Sequence, residues 1–215
     1  MKTDDLITLL STNVEPVDSG QVARSIRNAL ALAGGAVVLS VIVAFGVRHD
    51  AMHHGTAIGA VAVKVAFILA VTAVASRYLV RLARPGGERW TTLAWLVVPF
   101  AGIGMLAGLS LLSAPHAHWS GLILGDQWLE CLISIPVIAI VPFAVIIWAV
   151  RLAAPTDLRR AGAVAGFVAG CLSAAGYALH CVDDSVPFVA LWFGGTIALC
   201  TLVGWMLGPR LLRWD

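Results

Sequence analysis

Cys131-Leu-Ile-Ser-Ile-Pro-Val-Ile-Ala-Ile-Val-Pro-Phe-Ala-Val-Ile-Ile-Trp-Ala-Val150 decides the fold class of this chain: twenty consecutive residues without a charge, closed by Arg151. A helix of that length spans about 30 Å, the thickness of the hydrocarbon core of a bilayer. Similar runs recur along the chain. They predict an all-α, polytopic membrane protein with six transmembrane helices over residues 29–47, 56–76, 91–112, 131–150, 161–180 and 187–207. Composition agrees. Of 215 residues, 60% are hydrophobic and 12% charged, with a mean hydropathy of +0.91. That leaves too few polar side chains to cover a soluble globule of this size.

The first apolar run begins at Ala29 behind a polar segment of 28 residues. A cleaved signal peptide has a short basic head instead, so the first helix reads as a retained anchor. Orientation follows from Lys and Arg near the helix ends. Lys2, Arg24 and Arg27, then Arg77, Arg81, Arg84 and Arg89, then Arg151, Arg159 and Arg160, and finally Arg210 and Arg213 all fall on one side. Only Arg48 falls on the other, with Lys64 set aside inside a run. Both termini are therefore expected in the cytoplasm. The chain divides into a cytoplasmic N-terminal segment (1–28), a six-helix membrane domain (29–207) and a cytoplasmic tail (208–215).

Within the N-terminal segment Thr3 can cap a helix, with Asp4 and Asp5 in its favoured first turn. Leu6, Leu9 and Leu10 then make one apolar stripe at i, i+3 and i+4. Two uses fit: a helix lying on the membrane surface, or a docking face for a cytoplasmic partner. The spans are rich in small residues at four-residue spacing, which allows helices to approach closely. Gly162, Gly166 and Gly170 form the longest such run, and Gly104 with Gly108 and Gly204 with Gly208 repeat it. Packing within the chain is favoured over dimerisation. Pro136 and Pro142 each remove a backbone donor from the 131–150 helix and should kink it.

Residues able to carry chemistry gather on the outer side. All six histidines fall there, as do Asp126, Glu130, Asp183 and Asp184, and Cys131 and Cys181 sit at outer helix ends. Cys171 and Cys181 are ten residues apart, a rise of roughly 15 Å if the helix continues, which rules out a disulfide between them. Cys131 and Cys181 are expected level with each other on neighbouring helices. Three readings of that pair stay open: a structural disulfide, a redox pair with an exposed thiolate, or a soft-metal site completed by His180 and a carboxylate, for which Glu130, Asp183 and Asp184 are the candidates. Lys64 lies about eight residues inside the second span, where a charge is costly and marks a functional position by default. The alternative is that it snorkels outward. No acidic residue lies inside a helix to pair with it.

Other chemistry finds no support. There is no phosphate-binding loop and no HExxH, and the cytoplasmic side lacks the histidine a hydrolytic triad needs. The chain reads as a non-enzyme with no resident cofactor beyond a transient soft ion at Cys131 and Cys181. The basic residues are spread along membrane edges, which argues against direct nucleic-acid binding.

Several stretches resemble the NrsF-type membrane anti-sigma factors of proteobacteria: Cys131-Leu-Ile-Ser-Ile-Pro136, Leu152-Ala-Ala-Pro155, Gly162-Ala-Val-Ala-Gly166, Tyr177-Ala-Leu-His180-Cys181 and Gly208-Pro-Arg-Leu-Leu-Arg-Trp214. Arg84-Pro-Gly86, Lys64 and the opening Met1-Lys-Thr-Asp-Asp-Leu-Ile7 are similar too. The resemblance implies six membrane helices and a short cytoplasmic N-terminus in the bacterial inner membrane. It further implies that an extracytoplasmic-function sigma factor is held on the cytoplasmic side and released on a heavy-metal or oxidative signal. It carries over Cys131 and Cys181 as the signal-responsive residues. The runner-up is a small permease or metal-handling protein with Lys64 on its path.

Overall fold

A computed structural model of the chain describes residues 3, 5, 7, 20–46, 55–83, 91–153 and 155–213. Among them there are helices and turns and no strand. Helix α1 runs over Gln21–Ala44, α2 over Gly55–Leu82 and α3 over Thr91–Ser113. A single tight turn at His116–His118 leads into the short α4, Trp119–Leu124. Then come α5 (Trp128–Arg151), α6 (Leu158–Tyr177) and α7 (Val186–Leu211). Near its start α7 contains one wide π turn, Val189–Phe193.

Helices α1, α2, α3, α5 and α7 are long and apolar enough to cross a membrane. The sixth long helix, α6, is diluted by glycine, alanine and the arginines of its first turn. Its position explains the composition. It is the central helix, packed against α7, α5, α2 and α1, and from Ala161 to Tyr177 nearly every residue is buried. A helix enclosed by other helices needs a small cross-section more than a greasy surface.

The glycine run of α6 is spent inside the chain, against α7. A methyl added at Gly162 would fall on the Gly204 carbonyl oxygen and 2.6 Å from Gly208 Cα. One at Gly166 would strike the Cys200 carbonyl oxygen, and one at Gly170 would lie 3.0 Å from Cys200 Cβ. The reverse holds for Gly204, 3.0 Å from Gly166 Cα. The same spacing in α3 does nothing of the kind: Gly104 and Gly108 have nothing within 4 Å of an added Cβ.

The core forms two clusters at opposite ends of the bundle. One gathers Ile26 and Ala29 of α1, Leu79 and Leu82 of α2, Val150 of α5, Ala161 of α6 and Leu212. The start of α1 and the end of α7 thus share one end, which also carries the arginines of the helix termini. The other cluster holds Cys131, Cys181, Tyr177, Phe188 and Phe193. Helix α1 begins at Gln21, eight residues before the apolar run, and Ile26 is only 1% exposed. Of the docking stripe, Asp5 is described, helical and exposed, together with Thr3 and Ile7. Asp4, Leu6, Leu9 and Leu10 lie outside the described residues.

Candidate functional site

Helix α6 ends at Tyr177, although no glycine or proline follows it to signal a stop. A tight turn replaces the next helical turn, with Leu179 N–H donating to the Gly176 carbonyl and His180 and Cys181 N–H donating to the Tyr177 carbonyl. Cys181 therefore sits on the non-helical segment joining α6 to α7. Cys131 lies in the first turn of α5, its N–H bonded to the Gln127 carbonyl. The two sulfurs, fifty residues apart in sequence, are 4.0 Å from each other. Neither sulfur is in a disulfide, and both residues are fully buried. The redox reading expects an exposed thiolate, whereas both sulfurs are buried here. The Cys181 thiol is held below the ordinary thiol range, first by its hydrogen bond with Cys131 and, against the effect of burial, by the Lys64 ammonium.

The remaining metal-ligand candidates are engaged elsewhere or stand exposed. The His180 ring lies against Phe45 and Tyr177, and its Nδ1 is 3.3 Å from the Gly46 carbonyl oxygen. Glu130 is exposed in the first turn of α5. The Asp183 carboxylate accepts the Asp126 and Gln127 N–H groups at 3.1 and 3.0 Å. It thus satisfies open backbone donors at the start of α5, where the helix dipole also favours negative charge. Gly125 makes room for it: its φ is +56°, and a Cβ there would lie 2.7 Å from Asp183 Oδ2. Among the described residues no group of three or more His, Cys, Asp or Glu side chains converges as a metal site.

Lys64, for which no helix interior offers an acid, is met by Asp184 from the loop. Its ammonium donates to Asp184 Oδ1 at 2.6 Å and to the Asp183 carbonyl oxygen at 2.9 Å. The Lys64 side chain is 5% exposed and that of Asp184 25%. The cation also lies 5.3 Å from the centre of the Phe193 ring, on the π turn. The Cys181 thiol donates to that same Asp183 carbonyl oxygen at 3.8 Å.

Further ties, unread from sequence, complete the cap on this end. Val182 N–H donates to Gln127 Oε1, Ser185 Oγ to the Leu122 carbonyl and Trp192 Nε1 to the Ile123 carbonyl. Trp128 stacks on Trp192 with ring centres 5.2 Å apart. Segment 181–185 is thus fixed to α2 on one side and to α4 and α5 on the other. Beside the thiols, the Tyr177 hydroxyl is buried with no hydrogen-bond partner among the described residues, as is the Ser173 hydroxyl one turn earlier.

Two curated relatives match over the full length of both chains. One, 33% identical over 216 residues, is the "Probable anti-sigma-F factor NrsF" of Azospira oryzae. The other, 31% identical over 220 residues, is the "Anti-sigma-F factor NrsF" of Caulobacter vibrioides. No solved structure matches. The family described as "Negative regulator of sigma F" matches residues 10–214. With a regulatory, non-enzymatic family matched along nearly all of its length, and two full-length relatives above 30% identity, the chain belongs to the NrsF family of negative regulators of sigma F.

Proposed function

We propose that this protein is an integral anti-sigma factor of the bacterial inner membrane. It binds an extracytoplasmic-function sigma factor through its cytoplasmic N-terminal segment and releases it when a heavy metal or an oxidant reaches Cys131 and Cys181. The relatives' names support a sigma factor as the partner. The segregation of arginines supports the same end of the bundle as the cytoplasmic one. The observation that carries the sensing role is the meeting of two buried, unbridged thiols at 4.0 Å, at the end of the bundle opposite the start of α1. Two sulfurs with no third ligand converging on them among the described residues suit a soft, two-coordinate ion or a disulfide better than a tetrahedral ion such as zinc. The permease reading is the weaker one, because Lys64 is closed off by its ion pair rather than open to a path.

Deletion of residues 2–19 spares α1 and tests the partner. The truncated protein should remain in membranes while the sigma factor moves to the soluble fraction. Cys131→Ser and Cys181→Ser should hold the sigma factor as the wild type does and fail to release it on exposure to mercuric ion or diamide. Normal release from both serine variants would sink the sensing role.

A further inference from the structure

We propose that Lys64 is a positioning residue of the thiol site: it anchors the segment carrying Cys181, so that chemistry at the thiol pair moves Cys131 and the outer part of α5. The inference rests on the reading of Cys131 and Cys181 as the responsive pair. It concerns which of the two sulfurs moves. Apart from Lys64, the ties of segment 181–185 named above run to α4 and to the start of α5, the helix that carries Cys131, so they give it no fixed point against α5. It has no helical ladder, whereas Cys131 is held in the first turn of α5. Lys64 reverses that balance. Its ammonium, on the long helix α2, grips the Asp184 carboxylate and the Asp183 carbonyl oxygen. The Cys181 thiol shares that carbonyl. The anchored segment is therefore tied to a rigid element within two residues of the sulfur.

On the other side α5 has freedom to respond. Pro136 interrupts its hydrogen-bond ladder five residues beyond Cys131. A gap of about 450 Å³, lined by Val37, Ser40 and Ala44 of α1 and by Ile133, Val137 and Val141 of α5, lies between the two helices. Helix α5 is also the principal neighbour of α1, which leads to the N-terminal segment. A disulfide illustrates the displacement. Both S–H bonds break and one S–S bond forms. The two protons and two electrons pass to the oxidant, for which the diazene diamide, reduced to its hydrazine, serves as the probe. The sulfurs must close from 4.0 Å to about 2.05 Å. With Cys181 anchored, most of that closure falls on Cys131.

The chain carries its own reporter in Trp128, three residues before Cys131 and stacked on Trp192. The full-length protein, with Cys171→Ala and Cys200→Ala to isolate the pair, is oxidised with diamide in vesicles. Disulfide yield is read by maleimide gel shift and the tryptophan pair by near-ultraviolet circular dichroism, with Trp192→Phe identifying the pair's signal. The parent should oxidise and change its pair signal. Lys64→Met/Asp184→Asn, which removes both charges together, should oxidise to the same yield with less than half of that change. Lys64→Arg should restore it. An equal change in the double variant overturns the anchor. So does a parent that oxidises without a change, or one that forms no disulfide. A parent whose pair signal changes while its sigma factor stays bound would refute the sensing function and leave the anchor standing.

Discussion

Gly204→Ala is expected to destabilise the protein, and Gly108→Ala is not, although both residues sit in identical small-residue spacings. At Gly204 the new methyl would strike the Gly162 carbonyl oxygen and lie 3.0 and 3.1 Å from Gly166 Cα and Gly162 C. These are backbone atoms of a helix, so no rotamer change relieves them and α6 and α7 must part. Overpacking of this kind costs about 1–3 kcal/mol, and rigid neighbours put this site in the upper part of that range. Replacing glycine by alanine inside a helix returns about 1 kcal/mol. The net loss is about 1–2 kcal/mol, or roughly 2–8 °C in melting temperature for a chain of this length. At Gly108 nothing lies within 4 Å of the added carbon. Only the propensity gain remains there, so its melting temperature should hold or rise by up to about 4 °C. A thiol-reactive dye measures both in detergent, since Cys131, Cys171 and Cys181 are fully buried until the bundle opens. A Gly204→Ala variant melting within a degree of wild type would refute the close-packed seam. Equal losses at Gly204 and Gly108 would refute the distinction between them.

Asp183→Ala should lower the melting temperature by roughly 2–8 °C, about 1–2 kcal/mol, and slow disulfide formation between Cys131 and Cys181. It leaves the Asp126 and Gln127 N–H groups without their acceptor, while Asp183→Asn should recover most of both. Equal behaviour of all three proteins under thermal melting and timed oxidation would show that the carboxylate does not hold the start of α5. Tyr177→Phe should be neutral or stabilising by up to about 2 kcal/mol, because it deletes a buried hydroxyl that has no hydrogen-bond partner among the described residues. A clear loss of melting temperature would show that the hydroxyl does have a strong partner.

What the sequence revealed, and what it concealed, follows from which interactions are local. Hydropathy and charge placement are properties of consecutive residues, so the long helices and the common end of the first and last of them were legible from the order of apolar runs and arginines alone. The level placement of Cys131 and Cys181 was legible too, because helix length fixes height. Everything that turns those thiols into a defined site depends on one short segment whose path no periodicity encodes. Asp183 looked like a metal ligand because carboxylates near cysteines so often are. It is instead bound to the backbone of a helix start some fifty-six residues away, a partner that carries no residue signature. Lys64 looked unpaired because no helix interior holds an acid. Its partner Asp184 belongs to a loop and is brought to it by the early end of α6 at Tyr177, a stop that no glycine or proline announces. The same logic separates the two glycine motifs. Spacing says only that a helix has a smooth face, and whether another backbone lies against it is a fact about a second helix. The practical rule is that a buried charge in a predicted span should be matched first against the acids of the loops flanking that end of the bundle. The cost of leaving such a charge unpaired is several kcal/mol, enough to draw a loop down to meet it, and in this chain the loop so drawn is the one that carries Cys181.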